Sequence, residues 1–107
     1  MINRTMRLLV MFDLPVTSKK DRHNYAVFRH FLVKSGYFML QFSVYSRITR
    51  NHDDAAKQIS ILKKNLPPKG SVRVMQVTEK QFAAMEILVG ERTREEDFLK
   101  PKDILEI

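Results

Sequence analysis

The chain contains no cysteine. That absence excludes disulfides, thiolate nucleophiles and Cys-ligated zinc, and it fits a reducing cytoplasm. Glycine is scarce, with three in all, and none belongs to a P-loop, a G-x-S-x-G elbow or another glycine-rich loop. His23, His30 and His52 form no H-E-x-x-H motif and no i, i+4 pair, so they read as surface residues and not as metal ligands. Long apolar runs are missing too. Leu8 to Phe12 is far too short for a signal peptide or a membrane span, and Asp13 and Pro15 close it. No repeat or low-complexity segment occurs. The expectation is a soluble cytoplasmic protein that makes no use of a membrane.

What is present is basic. Lys and Arg number 19 against 12 Asp and Glu, a net charge of +7. Such a balance says nothing about fold but favours a polyanionic partner, nucleic acid before an anionic membrane. With 107 residues there is room for one domain, whose core buries roughly 60–70% of the unfolded surface. Association with a second copy would supplement so thin a core.

The run Met6 to Phe12, closed by Asp13-Leu14-Pro15, has the continuous apolar character of a strand covered on both faces. Ser18 and Asp21 have capping-box spacing, and Tyr25, Phe28 and Leu32 lie on one stripe beside Val27 and Phe31. Gly36 supplies a left-handed stop, so a helix is predicted from about Lys19 to Ser35. From Tyr37 to Ile48, Phe38, Leu40, Phe42 and Val44 alternate with Met39, Gln41, Ser43 and Tyr45. This is either one long strand or two short ones meeting near Gln41–Ser43, since no turn residue marks a break. A second helix starts at Asn51–Asp54, carries Ala55, Ile59, Leu62 and Leu66 on one face, and stops at Pro67-Pro68. Ser71–Thr78 is a β-branched strand, Glu79–Met85 a short helical turn, and Glu86–Val89 a brief late strand closed by Gly90. Residues 1–90 thus form the domain, and 91–107 form a linker and tail whose end, Ile104, Leu105 and Ile107, suits a strand added to a partner's sheet. The order matches an α+β, ferredoxin-like βαββαβ sandwich.

Asp13 stands where the first strand leaves the sheet, a natural position for a hard oxygen ligand to Mg²⁺. An Asp there more often caps a loop, and one carboxylate is too few for a metal site. A twofold dimer would bring a second Asp13 and repair this. Lys19 and Lys20 oppose the dipole of the helix they open, a small cost that points to a use such as phosphate contact. With Arg22 and Arg47 they are the expected phosphate-facing set. Arg29, Lys34, Arg50, Lys63, Lys64 and Lys69 make up the wider basic groups. Phe28, Phe31, Phe38 and Phe42 sit at core periodicities and read as packing residues. The RNA-recognition signature of this fold class is absent.

Met11-Phe12-Asp13-Leu14-Pro15 and Gly36 to Ser46, with its Gln41-x-Ser43-Val44-Tyr45 element, together resemble the smaller of the two universal CRISPR adaptation proteins. Val77 to Phe82 resembles the later part of that family, notably members from single-effector systems. The likeness runs from about Met6 to Gly90. It implies a ferredoxin-like homodimer whose last short strand, Ile87-Leu88-Val89, crosses onto the other protomer, and a strand junction at Gln41–Ser43. It further implies a role in spacer acquisition for antiviral defence, the dimer lying between two integrase dimers and supporting double-stranded DNA. Some members cleave RNA or DNA with Mg²⁺ through the Asp corresponding to Asp13. Phe12 stands where many nuclease-active members have Tyr, and Met39 where they have a basic residue. Both departures count against strong cleavage. A toxin-type ribonuclease, or a generic RNA-binding module of the same fold, is the alternative.

Overall fold

The apolar run folds as strand β1, Met6–Asp13. In the computed structural model, which describes residues 5–93, it is followed by α1 (Lys19–Lys34), β2 (Phe38–Gln41), β3 (Val44–Thr49), α2 (His52–Lys63), β4 (Ser71–Thr78) and α3 (Glu79–Ala83). The strands form one sheet in the order β2-β3-β1-β4, antiparallel throughout. This is the expected ferredoxin-like arrangement, with β1 inside the sheet. No described helix is long and apolar enough to cross a membrane.

The core lies between α1, α2 and one sheet face. Leu8, Val10 and Phe12 of β1 meet Phe28 and Leu32 of α1, Tyr45 of β3, and Ala55 and Leu62 of α2. The opposite face of β1 is covered only in part. Arg7 is buried there under α3, whereas Leu9 and Met11 are half-buried and Met75 is exposed. The expected cover on both faces is therefore incomplete within one chain, because α3 is a single short turn.

Local signals set the helix ends. Ser18 Oγ accepts from the Asp21 N–H at 3.0 Å and Asp21 Oδ2 from the Ser18 N–H at 3.3 Å, the reciprocal cap expected of that pair. Asn51 Oδ1 caps α2 by accepting from the Asp54 N–H at 2.8 Å. Helix α2 ends at Lys63, so Leu66 does not share its face and is exposed. A residue before proline avoids the helical region, which keeps Leu66 itself out of the helix.

Residues 37–48 form two strands. Register shifts between Met39 and Gln41, and Ser43 takes φ 65° in the turn. The alternation read along this stretch ends at the turn, which holds Phe42 and Ser43: Phe38 and Tyr45 are buried but Phe42 is exposed. Phe42 is thus not a core residue. The late segment Glu86–Val89 forms no strand among the described residues. A strand needs a partner, and the described residues offer it none; Leu88 and Val89 are 86% and 94% exposed. Ile104, Leu105 and Ile107 lie outside the described residues.

Candidate nucleic-acid interface

Asp13 is the last residue of β1 and is exposed. Strand alternation puts it on the half-covered sheet face, opposite Ser71 in the β4 register, with Arg73 paired to Met11 one step along. Met11, Phe12, Asp13, Ser71 and Arg73 line an open depression of about 230 Å³.

Three connections meet at this end of the sheet. The first, Leu14 to Ser18, leads from Asp13 into α1. The second is the β2–β3 turn, tied in by the Phe12 N–H, which donates to the Ser43 carbonyl at 3.0 Å. The third is the α2–β4 loop, whose Gly70 approaches so closely that a Cβ there would lie 2.6 Å from the Asp13 carbonyl oxygen. Leu14, Pro15 and Tyr25 share a small pocket with Pro67 and Lys69, which puts Lys69 beside the start of α1.

The expected phosphate-facing residues fall into two groups. Lys19, Lys20 and Arg22 are exposed in the first turn of α1, at the Asp13 end. Arg22 Nη1 donates to the carbonyls of Val16 and Thr17 at 3.2 and 2.9 Å, bracing the loop after Asp13. Arg47 lies elsewhere. It is half-buried in β3, its Nη1 donates to the Ser35 carbonyl at the α1 C-terminus, and a Cβ on Gly36 would sit 3.3 Å from it. Its guanidinium closes a helix end, a structural duty outside the basic end. Burial also raises the Tyr37 phenol above its ordinary pKa, an effect the nearby Arg47 charge only tempers.

Lys69, Ser71 and Arg73 belong to the same end but were not picked out as site residues from sequence. Alternation along β4 was the available signal, since the Asp13–Ser71 register puts Arg73 on the same face. The dimer candidates Ile87, Leu88 and Val89 lie past α3, and all three are exposed.

The donor set for Mg²⁺ is thin on one chain. No group of three or more His, Asp or Glu side chains that could hold a metal exists among the described residues. Asp13 shares its depression with the cationic Arg73, which disfavours a dication. His52 Nδ1 is engaged with Gln76 Oε1 at 2.8 Å. Asp13 is the one carboxylate lining the depression, and Mg²⁺ usually takes one or two carboxylates together with waters and phosphate oxygens.

The sequence matches the family described as CRISPR associated protein Cas2 over residues 6–85. It is 61% identical over 85 residues to the CRISPR-associated endoribonuclease Cas2 of Acidovorax ebreus, covering 79% of this chain and 83% of that protein. It is 50% identical over 90 residues to the protein of the same description from Treponema denticola, covering 84% and 89%. With that of Lacticaseibacillus rhamnosus the identity is 41% over 98 residues, covering 92% and 95%.

Proposed function

This chain belongs to the CRISPR-associated Cas2 protein family, and from that premise we propose that it serves spacer acquisition as a homodimer that holds double-stranded DNA between two integrase dimers. The observation that carries the reading is the gathering of Lys19, Lys20, Arg22, Lys69 and Arg73 around one end of the sheet. Cations spread over several elements suit a backbone contact that ignores sequence, because every phosphate offers the same charge. The exposed Ile87-Leu88-Val89 segment and the half-covered sheet face support dimerisation, since apolar surface left in water favours association. The tail residues Ile104, Leu105 and Ile107 are the proposed integrase contact.

Cleavage is the second activity. The relatives are named endoribonucleases, and Asp13 is the carboxylate that would serve here. Mg²⁺ held by Asp13 of both copies would supply Lewis-acid polarisation of a phosphodiester. Around it, Arg73 and the α1 lysines would bind and orient the phosphate. Beyond Asp13 the depression offers no general base, since its other lining residues are Met11, Phe12, Ser71 and Arg73, so those residues contribute binding and orientation.

The test is integration of a labelled duplex by this protein with its integrase. Replacing Lys20 and Arg22 by Ala should weaken duplex binding and flatten its salt dependence, which falls at about −0.9 in log affinity per neutralised phosphate. An unchanged slope removes both residues from the footprint, and failure to co-purify with the integrase overturns the adaptation role.

A further inference from the structure

The residues lining the depression, Met11, Phe12, Asp13, Ser71 and Arg73, carry one negative and one positive charge. Asp13 stands opposite Ser71 across the β1–β4 ladder, and Arg73 is the next residue of β4 on that face. The two charged residues are therefore diagonal neighbours, whose Cβ atoms lie about 7–8 Å apart, within reach of a long side chain. Both are exposed. Arg7, Arg22 and Arg47 each donate to an acceptor, Glu79, the Val16 and Thr17 carbonyls, and the Ser35 carbonyl. Arg73 and Asp13 differ: neither side chain enters a hydrogen bond or ion pair among the described residues. β4 is also an edge strand, so no further strand confines Arg73. Its guanidinium is free to turn toward the carboxylate or away from it.

That freedom matters for a dication. With the guanidinium turned in, the positive charge of Arg73 cancels the negative charge of Asp13, and Mg²⁺ must enter against the remaining repulsion. A second copy adds one Asp13 and one Arg73, so pairing alone leaves the balance where it was. A phosphate changes it. Its oxygens match the fork of a guanidinium in bidentate geometry and draw Arg73 outward. Asp13 then regains its full charge, and the same phosphate supplies further oxygens of the kind Mg²⁺ prefers.

We infer that Arg73 guards Asp13, holding Mg²⁺ off the carboxylate until a phosphate group draws the guanidinium away, so that metal and polyanion enter the depression together. The inference rests on the reading of Asp13 as the metal carboxylate and adds the regulation of that site. Linkage makes the effect reciprocal: a phosphate that raises metal affinity has its own affinity raised by the metal to the same degree.

The test uses the full chain, with Mn²⁺ as a paramagnetic probe counted by the resonance of the free ion. Arg73→Gln should tighten Mn²⁺ binding roughly 5-fold or more. Arg73→Lys, which keeps the charge on a stem of similar reach, should stay near wild type. Arg73 is exposed on an edge strand, so neither change should unfold the chain. Asp13→Asn should weaken Mn²⁺ binding in both the wild-type and the Arg73→Gln backgrounds. A second measurement follows a labelled duplex by anisotropy at fixed ionic strength. Mn²⁺ should raise duplex affinity more for the wild type than for Arg73→Gln, a comparison in which metal bound to the DNA itself cancels. Wild-type Mn²⁺ affinity in Arg73→Gln, or equal tightening in Arg73→Lys, overturns the guard and leaves Asp13 as the metal carboxylate. An equal Mn²⁺-linked gain for wild type and Arg73→Gln overturns the release by phosphate. Unchanged Mn²⁺ binding by Asp13→Asn overturns the metal reading on which the guard rests.

Discussion

Gly70 lies against the backbone of Asp13. A Cβ at this position would fall 2.6 Å from the Asp13 carbonyl oxygen and 2.7 Å from Leu14 Cδ2, and φ is +95°. Both the conformation and the space therefore demand glycine. Gly70→Ala should cost about 2 kcal/mol or more, read as a lower urea midpoint. It should also displace the carboxylate loop, so any Asp13-dependent activity should fall further than stability alone explains.

Arg7 and Glu79 form an ion pair under α3 with side-chain exposures of 4% and 21%, and Arg7 Cζ lies 4.1 Å from the Phe82 ring centroid. Removing Glu79 leaves a buried guanidinium uncompensated. Glu79→Ala should cost about 3 kcal/mol, whereas Arg7→Met with Glu79→Ala should cost less than the two single changes summed. Denaturant melts of the double-mutant cycle check this, and additive losses would argue against coupling between Arg7 and Glu79.

Asp54 sets one limb of the acid profile. Burial is the largest single influence and pushes its pKa up. The N–H of Arg50, the Gln58 amide and the charges of Arg47 and Arg50 together outweigh it and hold the carboxyl below its usual range. The unfolded chain, titrating near about 3.9, then binds the proton first. Asp54 thus contributes stability above that pH, lost as pH falls through the lower folded value. Urea midpoints measured down the acid range should show this loss, and Asp54→Asn should flatten it.

Leu88 and Val89, at 86% and 94% exposed, test the dimer. Burying such side chains is worth about 1.5–3 kcal/mol each. Leu88→Asp with Val89→Asp should therefore weaken self-association at least about 100-fold. Light scattering reads the result, and an unaltered dimer would move the interface elsewhere.

Legibility in the sequence followed the range of the interaction. The caps at Ser18 and Asn51 were readable because donor and acceptor lie three residues apart. The first strand followed from its continuous apolar run, and both longer helices followed from periodicity. The β2–β3 turn was not marked, because Ser43 takes a conformation that Gly or Asn usually signals. Family resemblance located that junction where pattern did not. The duty of Arg47 was hidden because only the folded sheet brings it to Ser35. Arg7 and Glu79 are 72 positions apart, beyond any local signal. Phe42 looked like core by alternation, but it falls in the unmarked turn between β2 and β3 and is exposed.

The central claim is that DNA is held by distributed cations and that carboxylate chemistry at Asp13 is separable from it. Asp13→Asn keeps the side-chain shape, removes the anionic ligand and leaves Lys19, Lys20, Arg22, Lys69 and Arg73 in place. The decisive measurement is integration of a duplex by the Asp13→Asn dimer with its integrase, beside Mg²⁺-dependent cleavage by the same preparation. The account predicts near-normal integration and no cleavage. Loss of integration by a well-folded Asp13→Asn dimer would contradict it and make this subunit an enzyme first.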